Sequence, residues 1–253
     1  MKLAEILDKI DYEGCVKTIQ VLNITHDSRK VKKGTLFIAL MGQSYNGHDF
    51  IIDAIAKGAV AIIVSEDLID HYEIPIIKVK NSRKAMSTIA ANFYNNPSKN
   101  MTVIGITGTN GKTSTCNLIN HLLIKCGTPS GSMGTLGFST PSGFITTGFT
   151  TPESIEVHQM LNTLYQGGIN HTVMEISSHA LTSHRVDDVD VDLAIYTHLS
   201  QDHLDFHKNM QNYFKAKQSL FKKLASTKTA IINIDDKYSK KIIECTKASL
   251  ITY

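Results

Sequence analysis

The sequence predicts an α/β protein in two parts: a small N-terminal α/β domain, then a phosphate-loop (P-loop) type domain with a mostly parallel sheet and flanking helices, incomplete at the C-terminus. Three observations predict it. Short apolar runs rich in β-branched residues alternate with stretches of helical spacing. Asn95-Asn96-Pro97-Ser98 breaks that pattern, which sets expected domains of 1–97 and 98–253. The segment Thr107-Gly108-Thr109-Asn110-Gly111-Lys112-Thr113 joins a strand to a helix, as a triphosphate-wrapping turn does.

In the first part, residues 35–40 and 59–64 read as strands around a helix over 49–57 that Gly58 closes. A strand follows at 74–79, and a helix over 83–94 places Ala85, Met86, Ile89, Ala90 and Phe93 on one face. In the second part, strands are expected at 101–107, 171–176, 191–197, 229–234 and 248–253, with helices at 112–126, 153–166, 211–224 and 236–245. Strands alternating with helices imply a parallel sheet whose ligand site lies at the C-terminal strand ends. Cys116 and Cys126, in the helix after the loop, read as core packing. With no C-x-x-C pair among the four cysteines, neither a zinc ribbon nor a disulfide scaffold is suggested.

The loop chemistry follows from its residues. Backbone N–H groups and a helix N-terminus face the phosphates, Lys112 neutralises them, and Thr113 can hold Mg²⁺. Ile106 stands where the first Gly of the general G-x-x-x-x-G-K-[ST] pattern belongs, so the loop is a variant. A dinucleotide fold would need an acid about 20 residues on. No Asp or Glu occurs between Met101 and Pro152, which favours a nucleoside triphosphate over NAD. A net charge of +3 with dispersed basic residues carries no nucleic-acid footprint. The absence of an apolar leader or a long apolar stretch leads us to expect a cytoplasmic protein without membrane insertion.

Three further segments carry chemistry. Glu175, at a strand exit beside Ser177, could hold Mg²⁺ directly or through water; the plainer reading is a solvated strand end. Arg185 is shaped to grip a carboxylate or phosphate. In His198-Leu199-Ser200-Gln201-Asp202-His203-Leu204-Asp205-Phe206-His207, His203 and His207 would share a helix face and could form a zinc site with Asp202, although a loop is equally expected there. Lys215, Lys217, Lys222 and Lys223, read alone, are a solvated basic face.

Taken together, the chain resembles the Mur ligases, and among them the E type. The resemblance rests on Asp27-Ser28-Arg29 with Gly34 to Ala39, on Asn46 to Phe50, on Thr107 to Thr113, on Thr150 to Glu153, on Met174 to Leu181 with Arg185, on Leu199 to His207, and on Tyr213 to Lys217. It implies ATP-dependent amide ligation in peptidoglycan precursor synthesis. The γ-carboxylate of UDP-MurNAc-L-Ala-D-Glu would be phosphorylated, then attacked by an amino acid, meso-diaminopimelate or L-lysine. By that resemblance Gly108, Thr109, Asn110, Gly111, Lys112, Thr113 and Ser114 hold ATP, and Asn233 stands near the adenine. Thr113 and Glu175 hold one Mg²⁺, and His203 and Lys217 a second. Lys217 is implied to be N-carboxylated, a carbamate. Ser28 contacts the uridine diphosphate, while Thr150, Thr151, Ser177 and Arg185 seat the muramoyl dipeptide. Lys112, Lys217 and His203 are the implied catalytic set, in a monomer. His198 replaces an Asn common in the family, Ser183 replaces a Gln of some members, and the family's third domain is expected to be missing after Tyr253. The alternatives are an F-type ligase or a non-catalytic module that binds nucleotide and UDP-sugar.

Overall fold

The computed structural model describes the chain except residues 17, 43, 44 and 69–71. The chain folds as two compact units, Met1–Asn96 and Pro97–Tyr253. The first contains α1 (Leu3–Ile6), β1 (Tyr12–Glu13), β2 (Asn23–Thr25), β3 (Thr35–Ile38), α2 (Ile51–Ala56), β4 (Ala59–Val64), β5 (Ile76–Val79) and α3 (Ser82–Phe93). Its sheet runs β1-β5-β4-β3-β2, parallel except where β1 joins β5. Central strands of a parallel sheet are covered on both faces and need apolar residues throughout. β3 and most of β4 are accordingly buried. Asn81 caps α3 by accepting from the Lys84 amide at 3.1 Å, and Ala85, Met86, Ile89 and Ala90 form its buried stripe.

The second unit contains β6 (Thr102–Thr107), α4 (Lys112–Lys125), β7 (Ser130–Gly134), β8 (Gly137–Thr140), β9 (Gly143–Ile145), α5 (Ser154–Gln166), β10 (His171–Glu175), α6 (Ser178–Thr182), β11 (Leu193–Tyr196), α7 (Leu204–His207), α8 (Met210–Lys223), β12 (Thr229–Ile232), α9 (Ser239–Ile243) and β13 (Ser249–Thr252). The sheet order is β13-β12-β11-β6-β10-β7-β8-β9, parallel from β13 to β7 and antiparallel across β7, β8 and β9. That antiparallel extension was not expected from the sequence, because Ser130 to Gly134 has no alternating pattern. Its small residues are required by packing. A Cβ on Gly131 would lie 2.5 Å from Leu164 Cδ2 of α5.

Strand alternation divides the core. Ile104, Ile106, Val173 and Ile195 face α4 and pack with Cys116, whereas Val103, Met174, Ala194 and Tyr196 face the core shared with α5, α6, α8 and α9. The chain leaves β6 toward β7, then returns past β6 to reach β11, so the carboxyl ends of β6, β10 and β11 flank a topological switch point. Two expectations need correction. Cys126 is exposed rather than packed, because it follows the last helical residue and Gly127 at φ +79 turns the chain away. The helix expected over 236–245 shortens to α9, because the Asp236 carboxylate is occupied by Tyr196 Oη, the Leu199 amide and the Tyr238 amide at 2.8–3.0 Å.

Candidate active site

The loop between β6 and α4 is shaped by the residues that follow β11. Gly108 has φ +150, and a Cβ there would lie 1.8 Å from Thr197 Oγ1. Gly111, at φ +83, is the left-handed residue that starts α4. Thr197 Oγ1 donates to the Asn110 carbonyl at 2.7 Å, and the Thr109 amide donates to the His198 carbonyl at 2.8 Å. The Thr109 hydroxyl exchanges hydrogen bonds with the Ser200 backbone at 3.0 and 3.2 Å and lies 3.2 Å from Tyr213 Oη. The turn is thus pinned before any ligand arrives. The first amides of α4, including those of Lys112, Thr113 and the exposed Ser114, have no acceptor within their own helix.

Glu175 ends β10, in register with Ile106 and on the face that looks toward α4. Strand geometry therefore delivers its carboxylate to Thr113 on the first turn of that helix. Glu175 is only 1 % exposed, which rules out the solvated strand end. Its Oε2 accepts from Thr113 Oγ1 at 2.9 Å and from Thr135 Oγ1 at 3.2 Å, and its Oε1 accepts from the Thr135 amide at 2.8 Å. Thr113 spends its one proton on Glu175, so the lone pairs of its hydroxyl remain available.

Two lysines meet at one carbonyl. Lys112 Nζ donates to the Gly108 and Thr109 carbonyls at 3.0 and 2.8 Å, and Lys217 Nζ donates to the Gly108 carbonyl at 2.7 Å. Lys217 also lies 4.5 Å from the Tyr213 ring centroid. Burial drives its pKa down to about 7, with the neighbouring Lys112 charge adding to the shift and Asp202 opposing it. Burial lowers Lys112 as well, against the pull of Glu175 and Asp202. The solvated-face expectation fails for Lys217, which is 1 % exposed. The sequence held a usable signal. Tyr213, Phe214, Lys217, Leu220 and Phe221 share the buried stripe of α8, so Lys217 is a cation inside an apolar face.

His203 precedes α7 in a left-handed conformation, φ +52, strained for a residue with a Cβ. Its ring meets His179 edge-to-face at 4.8 Å and Tyr213 at 6.1 Å. Lys217 and His203 thus both lie against Tyr213. The expected shared helix face with His207 does not form. His207 is buried with Nε2 2.9 Å from Ser178 Oγ, and burial lowers its pKa to about 4. Among the described residues, no three His, Cys, Asp or Glu side chains converge as a metal cage, so the zinc alternative falls. Magnesium keeps several waters and takes one or two carboxylates with phosphate oxygens. Glu175 with the Thr113 hydroxyl fits that need.

The residues implied for the muramoyl dipeptide cluster at the same strand exit. Thr151 Oγ1 donates to the Glu175 carbonyl at 2.9 Å and accepts from the Ser177 amide at 3.1 Å, so this hydroxyl is committed to holding the loop. Ser177 caps α6 by accepting from the Ala180 amide at 3.1 Å, and Thr150 Oγ1 lies 2.9 Å from Thr135 Oγ1. Arg185 donates to the Thr151 carbonyl at 2.9 Å and pairs with Glu153 at 2.7 Å; its buried Nε has no acceptor. Asn233 donates to the Thr197 carbonyl at 2.8 Å and accepts from the Asp235 amide at 3.0 Å, which fixes the amide in place and leaves one N–H and one oxygen lone pair uncommitted. Ser28 lies in the first unit, where its carbonyl accepts from Lys57 Nζ at 3.1 Å. Thr135, Tyr213, Thr197 and His179 were not singled out by the sequence, because each acquires its place from partners distant in the chain.

A family model described as the Mur ligase middle domain matches residues 106–253, more than half of the chain. The chain belongs to the Mur ligase family. A second model, described as the Mur ligase family catalytic domain, matches residues 20–94. The chain is 41 % identical over 256 residues to a UDP-N-acetylmuramoyl-L-alanyl-D-glutamate–2,6-diaminopimelate ligase of Caldanaerobacter subterraneus, covering 100 % of this chain and 52 % of that relative. It is 46 % identical over 247 residues to the ligase of the same name from Clostridioides difficile, covering 96 % of this chain and 50 % of the relative. A solved structure of a ligase with that name superposes with a TM-score of 0.86 at 28 % identity, over 100 % of this chain and 52 % of the other. The MurF ligase of Thermotoga maritima, solved in complex with ADP, shares the Mur ligase fold at a TM-score of 0.63 and 23 % identity, over 91 % of this chain and 49 % of that one. The chain spans about half the length of the curated relatives it matches. Among the described residues, no helix is long and apolar enough to cross a membrane.

Proposed function

We propose that this chain is the nucleotide- and precursor-binding half of an E-type Mur ligase, which joins meso-diaminopimelate to UDP-MurNAc-L-Ala-D-Glu at the expense of ATP. The observation that carries the reading is the meeting of half-buried Lys112 with buried Lys217 and Glu175 around one glycine-rich turn. The reaction needs a carboxylate and a triphosphate, both anionic, held close enough to react. The choice of diaminopimelate follows the names of the relatives.

In this reading the α4 amides and Lys112 seat the β- and γ-phosphates, with Asn110 and Ser114 at the rim of the loop. The γ-carboxylate oxygen of the dipeptide attacks the γ-phosphorus and ADP leaves, giving an acyl phosphate. The amine of diaminopimelate then attacks the acyl carbon, and the tetrahedral intermediate expels phosphate as the nitrogen loses its proton. Arg185 offers its unpartnered Nε to the peptide anion beside Thr150 and Ser177, while Ser28 in the first unit meets the uridine diphosphate. Mg²⁺, held by Thr113 and Glu175 and at a second position by His203 and Lys217, would offset the charge that builds on the transferring phosphoryl group. An amine with a pKa near 7 is about half free base at neutral pH. It can add CO₂ to give a carbamate and a proton, which turns Lys217 from a cation into an anionic ligand. Asn233 shapes the adenine side through Thr197. In this reading the protein works in the cytoplasm, as a monomer serving cell-wall synthesis.

Calorimetric titration of the chain with Mg²⁺·ADP and with UDP-MurNAc-L-Ala-D-Glu tests the reading. Both should bind, and Lys112→Ala should weaken ADP by about 100-fold while leaving the precursor unchanged. Failure of the wild-type chain to bind ADP, or wild-type ADP affinity in the variant, would remove it. Preference for the UDP-MurNAc-tripeptide would point to the F type.

A further inference from the structure

We propose that Thr135 is a positioning residue that fixes the Glu175 carboxylate for metal binding, a role that rests on the nucleotide-and-metal reading above. The sequence around it, Gly134-Thr135-Leu136-Gly137, gives no hint of this. It reads as a turn, and it is one, since Gly134 and Gly137 pair across the β7–β8 hairpin and leave Thr135 and Leu136 at the tip. The tip, though exposed, fastens a buried charge.

The reason lies in the register. Met133 of β7 pairs with Met174 of β10, so one step further Gly134 stands beside Glu175. The approach is closer than any side chain allows, because a Cβ on Gly134 would lie 2.1 Å from Glu175 Oε1. With the glycine giving way, the next residue wraps over the carboxylate. Thr135 donates to it twice, from its amide to Oε1 at 2.8 Å and from its hydroxyl to Oε2 at 3.2 Å. Thr113 donates a third hydrogen bond at 2.9 Å. A carboxylate held at both oxygens by one residue cannot swing about its terminal bond.

Proton counting gives the network a direction. A threonine hydroxyl has one proton. Thr135 Oγ1 gives its proton to Glu175, so across the 2.9 Å contact it accepts from Thr150 Oγ1. The order therefore runs from Thr150 through Thr135 to Glu175. The segment bearing Thr150, assigned above to the peptide substrate, is joined to the carboxylate assigned to the metal. Groups that orient a metal ligand in this way typically account for 10- to 100-fold in metal affinity.

The test compares wild type, Thr135→Val and Thr135→Ser, titrated with ADP in EDTA and in Mg²⁺. Valine keeps the shape and the amide bond but removes the hydroxyl. The metal-dependent gain in ADP affinity should fall about tenfold in Thr135→Val, return in Thr135→Ser, and leave binding in EDTA unchanged in both. Direct titration with Mn²⁺ alone, read by electron paramagnetic resonance, should show the same order. Retention of the full metal gain by Thr135→Val would overturn the proposal. So would an equal loss with and without metal, which is what a merely structural threonine gives. Wild-type binding of ADP that ignores Mg²⁺ would instead strike down the metal reading beneath it, and this inference with it.

Discussion

The turn at Asp27 to Arg29 in the first unit and the loop at Gly108 to Thr113 in the second are both short, polar and rich in motif character, yet they are stabilised in opposite ways. Asp27 accepts from the amide, Nε and Nη2 of Arg29 at 2.9–3.0 Å, so every one of these bonds spans two residues. Arg29 holds the Asp27 carboxyl down at about 2; the Arg29 side chain stands in water, while that of Asp27 is 16 % exposed. The second loop is held by Glu175, Thr197, Ser200, Tyr213 and Lys217, which lie 62 to 109 residues away along the chain. The first turn is held mainly by its own residues, with one outside bond from Lys57 Nζ to the Ser28 carbonyl. The cationic loop takes its shape only when the whole sheet has assembled.

The largest test of this contrast is Gly108→Ala. The added methyl group must displace Thr197 Oγ1 and so break its bond to the Asn110 carbonyl, in a backbone conformation that disfavours side chains. A loss of about 3 kcal/mol in urea unfolding is expected; a loss below about 1 kcal/mol would show that the loop is looser than its geometry suggests.

Next comes Lys217→Met. The folded-state pKa of Lys217 lies near 7 and its unfolded value near 10.5. Its contribution to stability is therefore fully present above the unfolded value and is lost as pH falls through that window toward 7. Wild type should lose stability relative to Lys217→Met as pH drops from about 10 to about 7. Parallel pH profiles for the two proteins would break the assignment. Arg29→Ala should do least, since the guanidinium is exposed and its bonds span only two residues, and a melting shift beyond about 1–2 °C would mean that the pair contributes more than a surface contact does.

The same contrast explains what could be read from the sequence. The β6–loop–α4 passage was legible because phosphate loops advertise themselves in consecutive residues, and the later strands were legible because parallel strands are apolar throughout. β7 to β9 were illegible, because Gly131 and Gly134 are dictated by Leu164 and Glu175 rather than by any strand pattern. Among the site residues, Lys112 and Thr113 were plain from the residues alone, while Lys217 required either the resemblance or attention to its place in an apolar stripe. Thr135 had no local signal. Its hydroxyl matters only because β10 brings a carboxylate to it from 40 residues away.

Gly108 offers one neutral oxygen to two ammonium groups, and that has a consequence for proton traffic. Burial, with the neighbouring Lys112 charge adding to it, brings the Lys217 pKa down to about 7. At physiological pH the loop therefore holds less than its full positive charge, with the remainder in reserve. While Lys217 is still a free amine, an anion that settles there draws that reserve into use by taking up a proton from solvent. Heats of association measured in buffers of unequal ionisation enthalpy would count that proton directly.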